Sequence, residues 1–222
     1  MKYDPIPSEL FIKNRNNFTS KMIPNSLAVF NSNDIYPISA DSTLPFEQHR
    51  DIFYLSGIDQ EESILILFPD AKDPAHKEML FVKETNDHIA VWEGAKLNKK
   101  EATELSGVHT VHWIQDFEDV FNSLVSQCKH IYINTNEHYR AQVETQTRED
   151  RFIEWCQKEF PSHQYEKSNF ILQALRAVKD PEEIARIQHA CNITEKGFRR
   201  ILDFVKPGVW EYEIEAEYAH EF

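Results

Sequence analysis

The sequence predicts an α/β protein built on a mixed β-sheet flanked by helices. Three observations predict it. Ile64 to Phe68 are five apolar residues in a row, stopped by Pro69. Such a run suits a strand covered on both faces, where alternation would suit a half-exposed one. Short apolar runs then recur between segments with helical spacing, so strand and helix signals take turns along the chain. Finally, 41% hydrophobic and 27% charged residues among 222 are enough for a core without metal or disulfide staples.

Residues 1–7 hold two prolines and read as an extended lead. A helix follows from Ser8 to about Lys21, with Phe11, Phe18 and Met22 on one side and Arg15 at the rim of that face. Leu27 to Phe30 is a strand, ended by the turn Asn31-Ser32-Asn33-Asp34. Ile35 to Ala40 is a short edge strand, demoted by Pro37. Ile52-Phe53-Tyr54-Leu55, stopped by Gly57, is expected to be a second central strand beside Ile64–Phe68.

Met79 to Val82 is a strand, Lys99 to Leu105 a helix closed by Ser106-Gly107, and Thr110 to Ile114 an alternating strand. Asp116 is placed to cap a helix whose apolar face is Phe117, Val120, Phe121, Leu124 and Val125. Ile131 to Ile133 is a strand, residues 136–147 show no period, and Glu149 to Phe160 is a helix stopped by Pro161. Residues 169–178 form a connecting helix or turn. Lys179-Asp180-Pro181-Glu182-Glu183 is a strong helix start: Asp180 caps, Pro181 suits the first position, and Glu183 completes a capping box. An apolar stripe then runs through Ile184, Ile187, Cys191, Thr194, Phe198, Ile201 and Val205. Lys206-Pro207-Gly208 ends that helix, and another begins near Trp210.

A net charge of −13 argues against nucleic-acid binding and against docking on anionic membrane. No apolar run approaches a membrane span, and the first ten residues lack a signal core. Cys128, Cys156 and Cys191 are odd in number and widely spaced, which indicates neither a disulfide framework nor a zinc site. A reducing cytoplasm is the expected compartment. His109 and His112 fall on opposite faces of a strand pattern, and no His-Glu-x-x-His spacing occurs, so no metal site is expected in these residues. Glu211, Glu213, Glu215 and Glu217 lie two apart on a helix and read as a solvated face.

Pro45, Phe46, Gln48, Asp51, Phe53, Tyr54, Leu55, Gly57 and Glu62 together resemble the N-terminal domain of Xaa-Pro aminopeptidases (aminopeptidase P), a domain shared in looser form with prolidase and creatinase. Trp92, Gly94, Lys96 and Leu97 resemble the family's W-x-G segment. The run Arg176 to Ile184, the later Lys206-Pro207-Gly208 and the Glu211–Glu217 stretch are similar to its entry into the pita-bread catalytic domain.

The resemblance implies an N-terminal domain over residues 1–170. Residues 171–222 would then be a linker and the first two helices of a truncated pita-bread domain. It implies a parent enzyme that releases the residue preceding proline with two divalent ions, manganese being the expected metal, and that is a homo-oligomer. The catalytic residues and metal ligands would lie outside this chain, which would shape access to a proline-containing peptide and be inactive alone. Trp92 either packs in the core or at the sheet rim, or lines a neighbouring subunit's substrate pocket. His49 and Arg50 are either a solvated loop end or further substrate contacts. A non-catalytic module, like the pseudo-peptidase half of a histone chaperone, stays open as an alternative, as does prolidase.

Overall fold

The computed structural model describes residues 5–138, 140 and 144–222. Part of the expected extended lead and of the stretch 136–147 lies outside the described residues. The chain divides into two compact units, Met1–Leu175 and Arg176–Phe222.

In the first unit six strands form one sheet: β1 (Ser26–Asn31), β4 (Ile64–Leu67), β5 (Glu78–Val82), β6 (Thr110–Trp113), β7 (His130–Ile133) and β8 (Gln164–Lys167), in the order β6-β5-β4-β1-β7-β8. The pairs β1–β7, β5–β6 and β7–β8 are parallel, whereas β4 runs against both of its neighbours, β1 and β5. Five strands therefore share one direction and β4 opposes them. Every residue of β1 and β4 is buried, as the unbroken apolar run predicts. Two short strands, β2 (Pro37–Ser39) and β3 (Ser42–Thr43), make a separate exposed hairpin, so the Ile35–Ala40 segment is no edge of the main sheet.

Helices cover both faces. On one face Val29, Ile66, Phe81 and Ile131 meet α5 (Phe117–Val125) and α6 (Arg148–Glu159). On the other, Ala28, Phe30, Leu65 and Leu80 meet α1 (Ser8–Thr19), α2 (Arg50–Ser56), α4 (Lys99–Ser106) and α7 (Asn169–Ala177) through Phe18, Ile52, Leu55, Ala102 and Leu172. The alternation of side chains along each strand sorts the apolar residues into these two cores.

Three further expectations are corrected, and one strand was not anticipated. Ile52–Leu55 is not a strand but the middle of α2: Ile52 and Leu55, three apart, face the core while Phe53 and Tyr54 stay half-buried. A four-residue apolar run carries no period of its own, so either element could form. Arg15 is not at a rim but fully buried: Nη1 donates to the carbonyls of Leu55 (2.8 Å) and Ser106 (2.9 Å), and Nε to Glu78 at 3.0 Å. Asp116 makes no capping bond, because a 3-10 turn over Ile114–Asp116 already leads into α5. Finally, β8 is a polar edge strand, Gln164-Tyr165-Glu166-Lys167, invisible to an apolar pattern.

The second unit holds α8 (Pro181–Phe204) and α9 (Glu211–Ala219). Asp180 and Glu183 form the expected capping box, with Asp180 accepting from the Glu182 N–H at 3.0 Å and Glu183 from the Asp180 N–H at 2.7 Å. Gly197 is where the helices meet, with the Tyr218 ring 2.8 Å from where a Cβ would stand. Phe198 contacts Tyr218 edge-on, and Arg200 pairs with Glu217 at 2.6 Å. Ile184, Ile187, Phe198 and Val205 of the predicted stripe remain exposed.

Candidate functional site

The two main motif segments meet at the end of the sheet where β4 begins. Gln48, just before α2, shares its two amide protons among the carbonyls of Ile58 (3.0 Å) and Gln60 (2.8 Å) and the Ser63 hydroxyl (3.2 Å). Its Oε1 accepts from the His49 N–H at 2.7 Å. Gln60, 4% exposed, accepts from the Leu97 N–H at 2.7 Å. Glu61, also buried, pairs with Lys96 at 2.5 Å. Lys83 bridges Glu62 (3.1 Å) and Glu93 (2.8 Å). The Glu93 bond leads the causes that raise the Lys83 pKa, and Lys83 in turn lowers that of Glu93. These bonds tie the Gln48 turn, the loop into β4 and the segment around α3 (Asp87–Glu93) into one lattice.

Each candidate residue has a definite place on it. Asn86 caps α3 by accepting from the His88 and Ile89 N–H groups, both at 3.0 Å. Trp92 on that helix is 81% exposed, which rules out core packing within the single chain. Among the described residues its side chain makes no hydrogen bond and no ring contact. His49 is the N-cap of α2: its Nδ1 accepts from the Asp51 N–H at 3.3 Å, with the Asp51 carboxylate 3.9 Å away. That bond needs Nδ1 unprotonated. Arg50, the first residue of α2, is exposed.

Sequence reading missed a second polar cluster at the carboxyl ends of β1 and β7. Glu149 is 8% exposed and accepts from the Asn31 N–H (3.0 Å) and Nδ2 (2.9 Å). Burial outweighs those bonds and pushes its pKa up to about 8. Asn134 donates to Asp51 at 3.1 Å and accepts from the Ser168 hydroxyl at 2.8 Å. In the sequence Glu149 is only the start of a helix; its partner Asn31 is more than a hundred residues away, so no local pattern exposes it. Burial likewise raises the thiols of Cys128, to about 11, and Cys156. Among the described residues no three His, Cys, Asp or Glu converge to hold a metal ion, so the residues present do not fit the metal pair that the resemblance implies. No helix of the described residues is long and apolar enough to cross a membrane.

A fold of this kind with this lattice defines a known class of domain. The family model described as "Aminopeptidase P, N-terminal domain" matches residues 11–132, and the chain belongs to that family. It is 26% identical over 220 residues to the Xaa-Pro aminopeptidase of Escherichia coli (strain K12), covering 98% of this chain and 49% of that protein. It is 25% identical to Xaa-Pro aminopeptidase 3 of Homo sapiens, over 86% of this chain and 37% of that protein. Among solved structures, a putative aminopeptidase P from Bacillus anthracis superposes with a TM-score of 0.86 at 24% identity, over 97% of this chain and 51% of that one. That likeness shows the fold. The chain spans about half the length of the Escherichia coli relative.

Proposed function

We propose that this chain is the N-terminal part of a metal-dependent Xaa-Pro aminopeptidase, that it shapes substrate access and subunit assembly, and that it is inactive alone. The observation that carries this reading is Trp92, held 81% exposed by a helix whose Glu93 is tied to the family motif through Lys83. An outward indole on an anchored support suits a ring or peptide brought by another surface. In this reading that surface is a neighbouring copy of the enzyme. Arg50 is free to join it, whereas His49 is held by its capping bond.

An X-Pro bond offers no amide proton, so a groove that pairs with backbone N–H groups serves it poorly and a dedicated pocket is needed. The two divalent ions, manganese in this reading, would be held by residues outside this chain. The relatives' names support the peptidase reading over the chaperone-like and prolidase alternatives.

The test uses both the 222-residue chain and the enzyme encoded by the full reading frame. The chain alone with manganese should not cleave a Xaa-Pro peptide. In the full enzyme Trp92→Ala should raise KM roughly 3- to 10-fold, the worth of ~1 kcal/mol of aromatic contact, with little change in melting temperature. Turnover by the chain alone, or a Trp92→Ala enzyme with normal KM and lowered stability, overturns the reading.

A further inference from the structure

We infer that the cavity between the start of α5 and Arg148 binds a small zwitterion, an α-amino acid with an apolar side chain. The cavity is open to solvent, has a volume of about 350 Å³, and lies at the carboxyl end of the five co-directional strands, beside the first residue of β4. Open α/β sheets bind ligands at that end, because loops and helix starts converge there. Its size is at the lower end for a small-molecule site.

The lining has four kinds of side chain, one of them the Gln115 amide, which donates to Glu84 at 2.8 Å. Ile64, Ile114 and Phe117 form an apolar wall. Arg148, half-buried, supplies a guanidinium. Glu118 and Asp119, both exposed, supply carboxylates from the first turn of α5.

None of these charges is paired among the described residues. Arg148 donates from Nη1 to the neutral Ser32 hydroxyl at 3.1 Å. Asp34, Glu62 and the adjacent Glu149 attract it at longer range, but each is engaged elsewhere, Asp34 with Arg151, Glu62 with Lys83 and Glu149 with Asn31. Its pKa is lowered, with burial the leading cause, as for a cation short of compensation. Glu118 and Asp119 line the same cavity, yet neither forms an ion pair with Arg148.

A half-buried guanidinium offers a carboxylate a charge-assisted bidentate bond. The two carboxylates offer an ammonium group its partners. The apolar wall of the same cavity suits an apolar side chain. A simple anion would meet Glu118 and Asp119, and a simple cation would meet Arg148; a molecule bearing both charges satisfies both. This inference does not depend on the peptidase reading.

The test is an NMR titration of the 222-residue chain with L-leucine, L-leucinamide and N-acetyl-L-leucine. L-Leucine should give saturable shifts at Ile64, Phe117 and Arg148. The amide, lacking the carboxylate, and the acetyl derivative, lacking the ammonium, should each bind roughly tenfold more weakly or worse, a loss of ~1.4 kcal/mol or more. Arg148→Gln should remove the preference for leucine over leucinamide. Glu118→Gln with Asp119→Asn should remove its preference over the acetyl derivative. No saturable shift, equal binding of all three, or retention of both preferences in the variants overturns the inference. Should Arg148→Gln fail to fold, the three ligands on the unmodified chain still decide it.

Discussion

Glu149 shows how one residue sets a pH response. It is buried against Asn31, with Arg148 on its own helix lowering its pKa and Asp51 of α2 raising it. Its pKa rises from an ordinary 4.5 to about 8 in the fold. Between those values the folded state holds a proton that the unfolded state releases, so this contribution to stability is complete below the lower value and is lost as pH climbs through the upper one. Denaturant unfolding across that window should therefore show stability falling as pH rises, by an amount on the order of a few kcal/mol. Glu149→Gln, which cannot ionise, should flatten the slope. Equal slopes for the two proteins would mean that the carboxyl is charged in the fold. The Arg15 guanidinium works by geometry instead, joining α1 to α2, α4 and β5 through acceptors 40 to 91 residues away.

At the scale of elements, α2 depends on how it ends. Gly57 closes it with φ of 71°, and a Cβ there would stand 2.3 Å from the Phe11 ring of α1. Gly57→Ala should cost about 2–3 kcal/mol, from the left-handed backbone together with displacement of the ring. In a Phe11→Ala background, where the ring is gone, Gly57→Ala should cost ~1 kcal/mol, the backbone part alone. Simple additivity of the two substitutions in denaturation midpoints would remove the contact from the explanation. This junction also shows what was legible. The glycine and its motif were plain in the sequence, and so was the need for a turn after Leu55. The helix before it was not legible, because only the docking of Ile52 and Leu55 on the sheet separates a helix from a strand in so short a run. The helical form of the Trp92 segment and the role of Gln48 as a four-bond hub were likewise out of reach.

The whole molecule is two units, each with its own contacts. The first is a three-layer sandwich with two apolar cores, which is sufficient for independent folding. A chain of residues 1–178, keeping α7 whole, should unfold in one transition. Its midpoint should lie within about 4 °C of the full chain's, equivalent to ~1 kcal/mol at this size. A much larger fall in calorimetry would show that the second unit supports the first. In the second unit Ile184, Ile187 and Val205 are exposed along a helix of 24 residues.

Unaided, the sequence determined the sheet-and-helix class, the buried strands β1 and β4, the start and end of α8, and the family to which the motif residues point. Each is written locally, in an unbroken apolar run, a capping box or a motif. The tertiary structure alone decided that α2 is a helix, that Arg15 and Glu149 are interior, that β8 completes the sheet, and that Trp92 faces outward. Those outcomes depend on partners far away in the chain. No window of neighbouring residues contains the atoms that bury a side chain or satisfy its hydrogen bonds.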